Sequence, residues 1–154
     1  MPPVKTAAEP DPQVVNPLMD RPAYAIIQLG KKILAEIDRV LEPVGLDGRE
    51  VNVLSLIQAG EGLSQQDLSR ILGLDATLLG ATLENLENRG VITRTRSALD
   101  RRRYILEVTR QGQRIMEEAD TILGQAESRL LADVEPADLE AVRRAAGRIL
   151  GKLT

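Results

Sequence analysis

The chain of 154 residues contains no cysteine, histidine, tryptophan or phenylalanine. Without cysteine there is no disulfide and no thiol redox switch. Without cysteine and histidine the usual zinc ligand sets and the Cys- or His-based nucleophile arrangements are also missing. Aromatic content is 1%, Tyr24 and Tyr104, so any core must be aliphatic. No apolar run approaches the roughly 20 residues of a membrane span. The N-terminus lacks the apolar segment of a signal peptide, and a soluble, cytoplasmic protein with no membrane partner is expected. Catalytic constellations are missing too. There is no nucleophile–base pair, no glycine-rich phosphate loop and no metal-ligand cluster. The carboxylates Glu117, Glu118 and Asp120 fall on a predicted solvated face, and glycines 45, 48, 60 and 62 punctuate helices instead of following a strand. Neither enzymatic activity, nor a cofactor, nor a metal is expected.

What the chain does have is charge segregation. The net charge is −3, yet residues 89 to 103 hold six arginines (89, 94, 96, 101, 102, 103) and one acid, Asp100. That segment carries +5 and leaves −8 for the rest. A basic face on an acidic body can attract an anionic polymer, because the local field outweighs the total charge.

Residues 1–19 hold five of the eight prolines and read as a poorly ordered tail. A helix is predicted from about Asp20-Arg21-Pro22, with Asp20 as its cap and Ile26, Ile27, Ile33, Leu34, Ile37, Val40 and Leu41 at helical spacing. A second spans Arg49–Ala59. Ser64 and Asp67 suggest a capping box for a third, short helix ending at Leu72. Gly73 then turns the chain, Asp75 caps a fourth helix to Arg89, and Gly90 closes it. Two short helices around a glycine turn make a helix-turn-helix. The period then changes. Residues 91–96 and 103–109 read as two strands around a turn at Ser97–Asp100, with Tyr104, Leu106 and Val108 on one face. Thr109 caps a long helix to about Ala132, and a last helix runs from Pro136 to about Gly151.

Several stretches carry a closer likeness. Leu63–Asp75 (LSQQDLSRILGLD), Leu86–Arg94 (LENRGVITR), Asp100-Arg101-Arg102 and Val108-Thr109-Arg110-Gln111-Gly112 resemble the multiple antibiotic resistance regulator (MarR) family of winged-helix transcription factors. The resemblance covers about Leu63 to Gly112. It implies a mainly α fold with a small β-hairpin wing, a winged helix-turn-helix flanked by N- and C-terminal dimerisation helices. The expected division is a tail at 1–19, a DNA-binding domain at 49–109, and dimerisation helices at 20–48 and 110–154. The implied function is a homodimeric repressor of transcription on a near-palindromic operator in double-stranded DNA, released by a small, often aromatic or anionic, effector. Tyr24 is the candidate effector contact. The apolar stripes of the terminal helices point independently to a homodimer, since one small domain cannot absorb them all.

The candidate DNA contacts follow from position. Arg101 and Arg102 sit at the hairpin tip, where arginines can enter a minor groove, with Arg94, Arg96 and Arg103 behind them. Asp100 is either a plain salt-bridge partner or the holder of an arginine such as Arg94. Ser64 and Gln65 open the first helix of the pair. On the fourth helix Leu79, Leu83 and Leu86 form the expected buried stripe, leaving Thr77, Leu78, Ala81, Asn85 and Asn88 outward. The resembling family commonly carries Thr, Thr and Arg where this chain has Leu78, Gly80 and Ala81. Three explanations stand: contact of Leu78 or Ala81 with thymine methyls, with Thr77 and Asn85 supplying polar readout; indirect readout of DNA shape; or a winged-helix protein-interaction scaffold, its exposed Leu78 face meeting a protein, or ligand sensor whose sequence-specific DNA binding has degraded. A mixture of the first two is favoured, because the wing arginines are intact.

Overall fold

A computed structural model describes residues 16–60 and 62–153. Residues 1–15 of the expected tail lie outside the described residues. Its last residues, expected without structure, instead enter a 3-10 turn at Pro17–Asp20, capped by Asn16 Oδ1 accepting from Leu18 N at 3.0 Å. The described residues divide into two compact units, one ending at Ala35 and the other beginning at Glu36.

Helix α1 runs over Pro22–Leu41. The Arg21 carbonyl accepts from Ala25, so the chain enters the helix through Arg21 and not through an Asp20 cap. Asp20 is used up inside the preceding turn. After a 3-10 turn at Glu42–Val44, Asp47 caps α2, Gly48–Ala59. Its side chain accepts from Glu50 N at 2.7 Å, while Glu50 Oε2 accepts from Asp47 N at 3.2 Å. Two otherwise orphaned donors are thereby satisfied. The same box recurs at α3, Gln65–Leu72, with Ser64 as cap and Asp67 as its reciprocal acceptor. The shorter Asp replaces the customary Glu, and the Ser64 hydroxyl also donates to it at 2.6 Å.

Gly73 takes φ +63°, a left-handed conformation that releases the chain from α3. Asp75 then caps α4, Ala76–Asn88, by accepting from Thr77 N and Leu78 N. Strands β1, Ile92–Arg96, and β2, Tyr104–Val108, pair antiparallel from Ile92↔Val108 to Arg96↔Tyr104. Thr109 caps α5, Arg110–Leu130, and its hydroxyl donates back to Gly90 O at 2.6 Å, tying the helix start to the strand start. Helix α6 spans Pro136–Leu153. Among the described residues the fold is thus mainly helical with one small hairpin, a winged helix-turn-helix, as the family resemblance implied.

The core of residues 36–154 is aliphatic throughout. Leu41, Val53, Leu54, Leu68, Leu79, Leu83 and Leu86 are fully buried and meet Val91, Ile92 and Leu106 from the hairpin. On α5 the small Ala119 and Ala126 are buried, flanked by half-buried Ile115, Ile122 and Leu123. Gly112 allows the closest approach. A Cβ there would collide with the Val91 carbonyl and meet Val108 Cγ1 at 2.7 Å. The close approach of the long helix to the wing therefore requires a bare backbone at Gly112.

Candidate nucleic-acid interface

The predicted stripe of α4 holds: Leu79, Leu83 and Leu86 have no exposed surface, and Thr82 joins them, its hydroxyl returned to Leu78 O at 2.9 Å. Thr77, Ala81, Glu84, Asn85 and Asn88 are exposed. Leu78, expected outward, is half-buried at the edge of this face. At the helix end, Arg89 donates to Glu50 Oε1 at 3.0 Å and to the Gly45 carbonyl. Arg89 therefore locks α4 onto α2 and is not free for an external anion.

The hairpin arranges its arginines in two groups. At the tip, the Ser97 hydroxyl accepts from Leu99 N and Asp100 N. Asp100 Oδ1 in turn accepts from Arg102 N at 2.9 Å. Asp100 is thus a turn-former, and the expectation that it holds Arg94 is overturned. Its carboxylate is spent on the turn backbone, whereas Arg94 lies opposite Leu106, well inside the ladder. Arg101 and Arg102 are exposed and make no ion pair among the described residues.

Arg94 is held from three sides. Its NH2 donates to Gln65 Oε1 at 3.3 Å, its NH1 lies 3.8 Å from Glu87 Oε2, and its guanidinium sits 5.1 Å from the Tyr104 ring centre. The Nε is buried and has no hydrogen-bond partner among the described residues. The aromatic face provides a compensating cation–π attraction. Arg96 shares that ring from 5.7 Å. Arg103 crosses to α3 and pairs with Asp67 Oδ2 at 3.2 Å. The Asp67 carboxyl is held below the usual range for an aspartate, first by the Ser64 hydroxyl, then by the Ser64 backbone N–H, with Arg103 and Arg70 adding to the shift.

Between α3, the start of α4 and the hairpin lies a groove of about 870 Å³. Its walls carry Gln65, Gln66, Ser69, Arg70, Arg102 and Arg103. Three arginines and several neutral polar side chains line one channel beside an exposed helix face; Arg70 and Arg103 pair with Asp67 at 3.7 and 3.2 Å, which leaves Arg102, among the described residues, as the unpaired cation for a polyanionic strand.

Known proteins share this fold. A model of the MarR family matches residues 44–103. The solved structure of the transcriptional repressor CouR bound to a 23-mer DNA duplex is 28% identical, with a TM-score of 0.82, covering 86% of this chain and 94% of that one. Over residues 44–103 and in its fold the chain is similar to MarR-family regulators. CouR from Rhodococcus jostii RHA1 bound to p-coumaroyl-CoA is similarly close, at 26% identity and a TM-score of 0.77, covering 88% and 95% of the two chains. A Bacillus subtilis protein, the uncharacterized HTH-type transcriptional regulator YwoH, is 27% identical over 118 residues, 77% of this chain and 85% of that one.

The residues expected to face DNA are brought together unevenly. Ser64, Gln65, Arg102 and Arg103 line one groove with Asp100 at its rim. Ser64 is buried as a helix cap, so its hydroxyl is occupied. Thr77, Ala81 and Asn85 lie on the exposed α4 face, and Arg96 and Arg101 lie on the exposed hairpin. Tyr24 belongs to the N-terminal unit, where its hydroxyl accepts from Asn16 Nδ2 at 2.9 Å. Sequence reasoning missed Gln66, Ser69, Arg70 and the Asp67–Arg103 pair. The capping box had marked Asp67 as a local residue, and only the fold of the hairpin across α3 gives it a second partner.

Proposed function

We propose that the protein is a homodimeric transcriptional repressor that binds double-stranded DNA through α4 and the arginine-tipped wing and is released by a small effector. The observation that carries the reading is the groove between α3, the start of α4 and the hairpin, lined by Arg70, Arg102 and Arg103, of which Arg102 is exposed and makes no ion pair among the described residues. In a dimer, two such helices would enter major grooves one helical turn, or a multiple of it, apart, which fits a near-palindromic operator. The related CouR structures, one with DNA and one with p-coumaroyl-CoA, support both halves of the reading. Exposed Val142, Ile149 and Leu150 on α6 supply apolar area for a partner subunit.

For the effector, a cleft of about 1100 Å³ opens between α2, β2 and α5. Ile57, Val108 and Met116 give it an apolar wall, and Glu107, Glu117 and Asp120 give it acidic groups. Three carboxylates disfavour an anion at this place, so an aromatic effector held here would be neutral or cationic, and an anionic one such as the p-coumaroyl-CoA of CouR would need another site.

The test is a salt titration of binding to random and selected duplexes by fluorescence anisotropy. A steep salt slope with a specificity ratio well above one is the expected result. An intact dimer that binds no duplex in dilute buffer would refute the proposal.

A further inference from the structure

Gly80 stands in the middle of α4, where glycine costs about 1 kcal/mol relative to alanine. Its φ is ordinary, so backbone strain does not explain it. A Cβ at Gly80 would touch the amide nitrogen Nε2 of Gln65 at 3.4 Å, a van der Waals contact, so the Gln65 side chain, arriving from the first turn of α3, packs against Gly80 where a larger, branched side chain of α4 would press on it. Arg94 fixes which end of that amide points where. It donates to Oε1 at 3.3 Å and draws the carbonyl towards the hairpin, leaving the NH2 group against α4. Nε2 donates to no acceptor among the described residues. Gln65 is half-buried, which limits its rotamers and makes the presented amide a fixed feature of the surface.

We propose that Gln65 is a specificity-determining residue: it reads a base edge from the slot left by Gly80, presenting hydrogen-bond donors to a base acceptor in the major groove. The inference rests on the DNA-binding reading above. Guanine offers N7 and O6, adenine offers N7 and thymine offers O4, whereas cytosine presents only a donor, N4. Gln65 therefore disfavours cytosine relative to the other three bases at one position of each half-site. The alphabet that α4 lacks at Leu78, Gly80 and Ala81 is partly lent by α3.

The full-length protein is used to select duplexes from a randomised pool, and single-base-pair variants of the winner are compared for wild type, Gln65→Ala, Gln65→Glu and Gly80→Val. Wild type is expected to discriminate about tenfold against cytosine at one symmetry-related pair of positions. Gln65→Ala flattens that pair alone and leaves the salt slope unchanged. Gln65→Glu, which can accept from cytosine N4 and cannot donate, moves the preference towards cytosine. Gly80→Val, whose branches occupy the slot, flattens the same positions, with circular dichroism confirming the fold. An unchanged preference profile in Gln65→Ala overturns the inference. So does an equal loss on every sequence with a shallower salt slope, the mark of a phosphate contact. If wild type selects no duplex at low salt, the DNA-binding reading itself fails and this inference with it.

Discussion

Arg103 on the hairpin and Asp67 on α3 meet at 3.2 Å, and the same Asp67 oxygen receives the Ser64 hydroxyl and backbone N–H that cap the helix. One carboxylate thereby fixes both the start of α3 and the position of the wing above it. Wing orientation is coupled to helix capping, so perturbing one perturbs the other.

This coupling makes a pH prediction. The Asp67 carboxyl is held below the normal aspartate range, most strongly by the Ser64 hydroxyl. A depressed native value stabilises the folded state above the unfolded-chain pKa of about 4, and that stabilisation is lost as pH falls through the native value. Glu36 and Glu140, lowered chiefly by hydrogen bonds from Arg39 and Arg143, titrate in the same direction. Urea unfolding at pH 5 and pH 3 should show wild type losing stability on acidification and Asp67→Asn losing less. Equal losses in the two proteins would remove Asp67 from the account.

Two arginines of the hairpin should behave differently. Arg102 is exposed on the groove wall, whereas Arg94 is enclosed by Gln65, Glu87 and Tyr104. Arg102→Ala should weaken binding to all duplexes and reduce the salt slope of the dimer by about two, one phosphate per subunit. Arg94→Ala should leave the slope close to wild type and lower thermal stability. Matching slope losses would make Arg94 a phosphate contact.

Two glycines of α5 give opposite expectations. Alanine at Gly112 would strike the Val91 carbonyl, a backbone atom that cannot swing aside, so Gly112→Ala should destabilise by about 1–3 kcal/mol in denaturant unfolding. A methyl group at Gly124 would meet nothing within 4 Å among the described residues, and Gly124→Ala should stabilise by up to about 1 kcal/mol. Similar effects at both sites would contradict the close approach of α5 to the hairpin.

The dimer is testable on α6. Val142 and Leu150 are more than half exposed, an arrangement costly for a monomer. Multi-angle light scattering at micromolar concentration should give a dimer for wild type and a shift towards monomer for the Val142→Glu, Leu150→Glu double variant. A monomeric wild type would refute the proposed assembly.

The local elements were legible in the sequence because each announces itself through nearby residues. Ser64 and Asp67, Asp75, Gly90 and Thr109 mark helix ends through contacts within a few positions, and Leu79, Leu83 and Leu86 mark the buried stripe of α4 by their spacing. Likewise the arginine excess between residues 89 and 103 is a property of composition. What only the tertiary structure decided is which charge meets which. Asp100 lies among the hairpin arginines in sequence but is consumed by its own turn, while Asp67 and Gln65, 36 and 29 residues away, take Arg103 and Arg94. Hydrogen-bond partners of long, flexible side chains depend on how elements cross, and that crossing is fixed by burial of the whole aliphatic core, not by any local pattern.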